Sequence, residues 1–344
     1  MPYREPESLI FILGSQRSGT TWLANIFDSS PDTLLFMEPF APAYGLFPDF
    51  PETSLFLAQG SDRVLEMLRE EFLRRISKNK SLVLYRSRLA PELFKLEKGI
   101  YQLTRVFFGL LPKLISSGMG AFQLLNLNRF DPHFPIPRKS QHPSTWIVKE
   151  LRLAGKVPLL KEAFPGAHYI VIMRHPAATV HSMLKQFDRG GLRELRSEID
   201  HFVEKIAVQS IADDYAEIIT RCQEGNLTQK LAFYWRVSYE TLYQQLDLGA
   251  EHTLLVYEAL ASKPLDTAVD LFNRAGRIPF SLPVKEYIQN SSTKEPAQLT
   301  PITTIRNSKQ SYRSWQNEID PQILDDVIAV TGDSFLMPYF DPYY

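Results

Sequence analysis

Residues 14–22 read Gly14-Ser15-Gln16-Arg17-Ser18-Gly19-Thr20-Thr21-Trp22. Gly14 and Gly19 have the G-x-x-x-x-G spacing of a phosphate-binding loop, and Thr21 stands where that loop carries a Ser or Thr. Two glycines let the backbone wrap an oxyanion, while successive N–H groups and the start of a helix supply positive potential. The lysine of the nucleoside-triphosphate version is missing, and Thr20 occupies its place. The cation inside the loop is Arg17, whose planar guanidinium can bind two oxygens at once. A loop changed in this way suits a single 5′-phosphate and its leaving group better than a magnesium-bound triphosphate. The plain alternative is an ordinary strand–turn–helix corner with a capping hydroxyl.

Such a loop must sit between the end of a strand and the start of a helix. Five short apolar runs, rich in β-branched residues and bounded by turn residues, predict buried strands at residues 9–13, 33–36, 145–149, 169–173 and 253–257. Helical patterns lie between several of them, including residues 20–27 and 157–164. Strands alternating with helices predict an α/β fold, with a P-loop-type parallel sheet covered by helices on both faces. Ligands of such sheets bind beyond the carboxyl ends of the strands, and the phosphate loop and the other chemical motifs all fall there. Between the second and third strands lies a long insertion, about residues 40–144. It begins Pro-rich and aromatic, then places Val64, Leu65, Leu68, Phe72 and Ile76 at helical spacing. A largely helical insertion at the ligand-bearing edge is expected to act as a lid or platform.

The loop closely resembles the 5′-phosphosulfate loop of sulfotransferases that take 3′-phosphoadenosine-5′-phosphosulfate (PAPS) as donor. The likeness is strongest to the carbohydrate and tyrosyl-protein branch, where Arg-Ser-Gly-Thr/Ser-Thr/Ser recurs; the cytosolic small-molecule branch usually has lysine at the position of Arg17. The resemblance implies donor contacts from Arg17, Ser18, Gly19, Thr20, Thr21 and Trp22. In Met173-Arg174-His175-Pro176, with Ser182 eight residues beyond Arg174, the chain is similar to the family's 3′-phosphate motif. An Arg–Ser pair suits that phosphate through charge-assisted hydrogen bonds. The alternative is an Arg174 paired with a local carboxylate and a Ser182 on a helix face. Leu255-Val256-Tyr257-Glu258-Ala259-Leu260 resembles Tyr-Glu-x-Leu, whose tyrosine sits near the nucleotide. Residues 306–315 resemble a segment closing over the 3′-phosphate, which implies contacts from Arg306 and Ser308. The likeness runs from about residue 9 to residue 315 and fades inside the insertion. It implies one sulfotransferase domain over residues 1–344, with 40–144 as an acceptor-side insertion or lid.

Sulfuryl transfer is an in-line displacement in which positioning and charge stabilisation do most of the work. The acceptor hydroxyl must also lose a proton, so a positioned base helps. Glu38, in Phe36-Met37-Glu38-Pro39, is similar to the catalytic base of the tyrosyl-protein branch; a surface carboxylate beside a turn is the alternative. Pro39 predicts an extended backbone at Glu38. Lys149, in Lys149-Glu150-Leu151, matches the lysine of the family's Lys-Thr-His, while the histidine is absent. Arg17 and Lys149 are implied to stabilise the leaving phosphate and sulfuryl oxygens. His133 and His142 are the reserve bases, and a packing or capping role suits His175 and His181 best. No His/Cys/Asp cluster has metal-ligand spacing, and no metal is expected.

The composition narrows the partners. A formal net charge of −1 provides no global field for nucleic acid. Cys222 is the one cysteine of the 344 residues, which excludes an internal disulfide framework and suits a reducing, cytoplasmic setting of bacterial type. Residues 106–125 are apolar but broken by Gly109, Pro112, Lys113, Gly118 and Gly120, so no transmembrane span is expected. An apolar rim for an amphipathic acceptor, with peripheral membrane contact, is the bolder reading of that stretch; core packing is the simpler one. The acceptor expected from branch resemblance and the aromatic insertion is a glycan or glycolipid, with protein tyrosine next. Adenosine 3′,5′-bisphosphate (PAP) is the expected product. Two rivals stay open: a P-loop kinase, and a silent protein that keeps the nucleotide pocket without turnover.

Overall fold

A computed structural model describes residues 7–40, 69, 144–151, 155–188, 193–246, 248, 252–276, 278–293 and 307–344. Strands β1 (Ser8–Leu13), β2 (Thr33–Met37), β3 (Thr145–Glu150), β4 (His168–Met173) and β5 (Thr253–Val256) form one parallel sheet in the order β2-β3-β1-β4-β5. The five expected strands are present within a residue or so of their predicted bounds. Tyr257 is the exception, since it opens a helix instead of ending β5.

Among the described residues the α-helices are α1 (Thr20–Asp28), α2 (Val157–Ala163), α3 (Pro176–Asp188), α4 (Arg193–Ala207), α5 (Ala216–Gln223), α6 (Leu227–Gln245), α7 (Tyr257–Ser262), α8 (Pro264–Ala275), α9 (Leu282–Thr293), α10 (Ser308–Ser311) and α11 (Pro321–Thr331). Of the predicted insertion only Phe40, Arg69 and Ser144 are among the described residues; its amphipathic helix, its 106–125 stretch, His133 and His142 lie outside them. The guanidinium of Arg69 donates to the carbonyls of Glu162 and Ala163 at the end of α2.

Side-chain alternation divides the sheet between two cores. Phe11, Leu13, Trp146, Val148, Tyr169, Val171 and Met173 face α2 and α6, where Leu160, Trp235 and Tyr239 cover them. Ile10, Ile12, Ile147, Ile170 and Ile172 face the other way, onto Leu23, Ile26 and Phe27 of α1 and Leu271 and Phe272 of α8. Phe27 and Phe272 stack with ring centroids 4.6 Å apart. Burial of each such ring contributes about 1.5–3 kcal/mol, which is why both faces need helices. A third cluster joins α3, α4, α6 and α11 beside the sheet.

Helix α6 is the long support that reaches the ligand-bearing end of the sheet. Its first turn is closed by a capping box, in which the Asn226 side chain accepts from the Gln229 N–H and the Gln229 side chain accepts from the Asn226 N–H. Over 19 residues it carries Tyr234, Trp235 and Tyr239 to the carboxyl ends of β1 and β4.

Candidate functional site

The loop after β1 is shaped by two departures from ordinary backbone. Arg17 has φ 70° and Gly19 has φ 96°, both in the left-handed region. For a non-glycine residue this costs on the order of 1–3 kcal/mol and persists only where surroundings impose it. At Gly19 a Cβ would stand 2.4 Å from the Tyr257 ring, and at Gly14 it would stand 2.6 Å from the Ile172 carbonyl oxygen. Only glycine fits either place, so both glycines of the spacing have a steric reason. Ser18 closes the turn, its hydroxyl donating to the Ser15 carbonyl at 2.7 Å.

Tyr239 holds the loop from below. Its hydroxyl accepts from the Ser15 N–H at 3.0 Å and donates to the Ile172 carbonyl at 3.0 Å, tying the end of β1 to the end of β4. Burial pushes this phenol's pKa up, so it stays protonated and able to donate. Tyr234 donates to the Gln16 side chain at 3.1 Å. Neither tyrosine belongs to a motif. The aromatic run 233–239 is the one signal the sequence offers, and an aromatic stripe at helical spacing usually marks core.

The two arginine motifs meet here. Arg17 Nε donates to Ser182 Oγ at 3.0 Å, and Arg174 Nη1 donates to the Arg17 carbonyl at 3.3 Å. The Arg174 guanidinium also lies 4.9 Å from the centre of the Tyr257 ring. Arg17, Ser18, Gly19, Arg174, Ser182 and Tyr257 are thus brought to one corner. Thr20 and Thr21 open α1 at the same place. Trp22 is buried with its ring edge-on to Tyr257, the centroids 6.1 Å apart, and its indole N–H donates to Ser291 Oγ at 3.0 Å. Ser308 is buried and its hydroxyl donates to the Ala261 carbonyl at 2.9 Å. Arg306 lies outside the described residues.

Beside Arg174 sits the carboxylate of Glu258, the glutamate of the Tyr-Glu-x-Leu stretch, to which sequence reasoning assigned no role of its own. Glu258 is 0% exposed. Its Oε1 accepts from the His175 N–H at 3.2 Å and from the Tyr344 hydroxyl at 2.8 Å. Burial raises its pKa, while Arg174 pulls the other way. His175 stacks on Trp315 at 5.0 Å, with Phe340 and Tyr344 against its edges. Burial, then the Arg174 charge, holds its imidazole down at about 4, in keeping with a packing role.

Across the sheet, at the ends of β2 and β3, Glu38 and Lys149 form an ion pair. Lys149 is only 1% exposed. The Glu38 carboxylate is its counter-ion. Glu38 has φ 51°, not the extended backbone that Pro39 predicted. The reason is topological. The Glu38 N–H still completes the ladder to the Lys149 carbonyl at 2.7 Å, and the next residues must leave the sheet so that the Phe40 N–H can reach Glu150 Oε2 at 3.0 Å. An extended residue would carry the chain straight on. Glu150 also accepts from the Leu151 N–H at 2.9 Å. It is 2% exposed, and burial followed by the Glu38 charge raises its pKa to about 7. The Lys149-Glu150 doublet is visible in the sequence, but nothing local marks the second residue.

Among the described residues no group of three or more His, Cys, Asp or Glu could hold a metal ion, and no helix is long and apolar enough to cross a membrane.

A sequence model of the sulfotransferase family matches residues 9–278. Carbohydrate sulfotransferase 3 of Rattus norvegicus is 22% identical over 195 residues, a stretch covering 57% of this chain and 38% of that protein, so the match spans well under half of the relative's length. Among solved structures, the sulfotransferase domain of the Synechococcus PCC 7002 olefin synthase aligns over 96% of this chain and 95% of its own, at 17% identity and a TM-score of 0.42. A sulfotransferase domain from the curacin biosynthetic pathway aligns over 92% of this chain and 99% of its own, at 15% identity and a TM-score of 0.40.

Proposed function

The chain belongs to the sulfotransferase family, and from that premise we propose that it transfers a sulfuryl group from PAPS to an acceptor hydroxyl and releases PAP. The observation carrying the donor assignment is the meeting of two arginine motifs 157 positions apart, Arg174 on the Arg17 carbonyl and Arg17 on Ser182. A donor with a 5′-phosphosulfate and a separate 3′-phosphate needs two neighbouring anion sites, and a single loop provides only one. Gly14 and Gly19 support the first site indirectly: a side chain at either would collide with the Ile172 carbonyl or the Tyr257 ring, so only glycine keeps the tight loop that would wrap the phosphate.

In this reading the loop amides, Arg17 and the start of α1 hold the 5′-phosphosulfate, while Arg174 and Ser182 hold the 3′-phosphate beside Tyr257. The donor supplies the sulfuryl group: the acceptor oxygen bonds to sulfur as the bond to the bridging 5′-phosphate oxygen breaks. Glu38 takes the acceptor proton. A carboxylate paired with an ammonium is a poor base, so Lys149 must give part of its charge to the sulfuryl oxygens as they arrive. That shift frees Glu38 when its basicity is needed and stabilises the negative charge that develops.

The acceptor is read as a glycan or glycolipid ahead of protein tyrosine, a preference supported by the carbohydrate sulfotransferase relative and the aromatic residues of the insertion. Residues 1–344 are treated as one sulfotransferase domain with 40–144 on the acceptor side, and the lone cysteine favours a reducing cytoplasm. The test is thermal stabilisation by PAP in the presence of a chelator, followed by transfer from labelled PAPS to pooled glycans, glycolipids and tyrosine peptides. PAP should raise Tm without magnesium. Equal or greater stabilisation by ATP with magnesium would overturn the donor assignment in favour of a kinase.

A further inference from the structure

We propose that Glu150 is a positioning residue for sulfuryl transfer, holding the turn that aims Glu38; this rests on the reading of Glu38 as the base. Glu38 leaves β2 with a left-handed backbone, a conformation that reverts unless something beyond it restrains the chain. The restraint is two residues on, where the Phe40 N–H donates to Glu150 Oε2 at 3.0 Å. The other carboxylate oxygen accepts from the Leu151 N–H at 2.9 Å, so both oxygens are engaged and the side chain cannot swing. Glu150 therefore bridges the turn after β2 to the end of β3, the strand that presents Lys149.

Strand alternation explains why one doublet serves two purposes. Residues 149 and 150 point to opposite faces of β3, so Lys149 meets the Glu38 carboxylate while Glu150 grips the backbone beyond it from the other side. The turn is held between them, at Glu38 by the ladder bond to the Lys149 carbonyl and at Phe40 by the Glu150 carboxylate. Once ionised, a carboxylate accepts from two N–H groups at once, where a glutamine can offer one oxygen. Burial at 2% exposure keeps water from competing for either bond. Glu150 is assigned no contact with donor or acceptor and acts through Glu38 alone.

The test uses the full chain in three forms, Glu150→Gln, Glu38→Gln and the double variant, each first shown to bind PAP by calorimetry. Glu150→Gln should lower kcat by about 10- to 100-fold, with donor and acceptor KM unchanged within about twofold, since misplacing a base costs turnover and not binding. The double variant should be no slower than Glu38→Gln, because removing the base leaves nothing for Glu150 to position. Losses that multiply, or near-normal turnover in Glu150→Gln, would overturn the proposal while leaving the reaction intact. No transfer by the unsubstituted protein would overturn the functional reading and this inference with it. If Glu150→Gln does not fold, hydrogen exchange on the unsubstituted protein decides: the Phe40 amide should be protected, and exchange at the rate of an exposed amide would refute the restraint.

Discussion

Two regions along the carboxyl edge of this sheet carry opposite balances of charge. At the β1–β4 corner lie two guanidiniums, Arg17 on Ser182 and Arg174 beside the buried carboxylate of Glu258. At the β2–β3 edge one ammonium, Lys149, lies with two carboxylates, Glu38 and Glu150. The corner is scaffolded by neutral hydroxyls, Tyr239, Ser18 and Tyr234, which fix the backbone without reducing its positive potential. The edge is scaffolded by the charges themselves. A surplus of cations suits the binding of a polyanion, and a surplus of carboxylates suits the removal of a proton. In each region a buried glutamate holds the N–H of a turn residue just beyond a site residue, His175 in one and Phe40 in the other. One sheet thus uses the same backbone device for two electrostatic purposes.

The sharpest way to break this contrast is Glu38→Gln. Glutamine keeps the size of the side chain but cannot accept the proton. Turnover should fall about 10²- to 10⁴-fold while PAP affinity, which belongs to the other corner, stays within a factor of about two. Parallel losses in both would show that the two regions are not separate.

His175 and Glu150 extend the contrast to pH. His175 is held at about 4 against an ordinary 6.5, so between those values the unfolded chain carries a proton that the folded chain does not, and stability rises with pH. Glu150 is held at about 7 against an ordinary 4.5. Between those values the folded chain keeps the proton, so stability falls as pH rises. Each contributes on the order of 3 kcal/mol across its window. Urea unfolding should show the wild-type advantage over His175→Gln growing from pH 4 to 6.5, and that over Glu150→Gln shrinking from pH 4.5 to 7. Slopes of the same sign would refute one of the two burials.

Arg174→Ala sharpens the donor side. Loss of a charge-assisted phosphate contact should cost about 1.5–3 kcal/mol in PAP affinity, measured by calorimetry. The cost should largely vanish for adenosine 5′-monophosphate, which lacks the 3′-phosphate. Equal weakening of both ligands would make Arg174 a support for the Arg17 carbonyl and nothing more.

The smallest effect is expected from Tyr344→Phe. It removes one hydrogen bond to Glu258 and one from the Trp315 indole, leaving the ring in its place against His175. A loss of about 1–2 kcal/mol in unfolding free energy should result, with kcat unchanged. A fall in kcat would mean that the two regions communicate.

The sequence by itself determined the five strands, the helix following the loop, both loop glycines and the two arginines. Those features are written in short stretches: an apolar β-branched run reads as a strand wherever it lies, and a glycine spacing constrains its own backbone. Tertiary structure alone decided the strand order β2-β3-β1-β4-β5, the pairing of Glu38 with Lys149, the left-handed turn at Glu38, and the burial of Glu150 and Glu258. Tyr239 is the plainest instance, since its bonds to Ser15 and Ile172 join residues 224 and 67 positions away. A glutamate's neighbours in the chain do not say whether it will be solvated or enclosed. That depends on which distant backbone amides the register of the sheet brings within reach, and on whether water is shut out when they arrive.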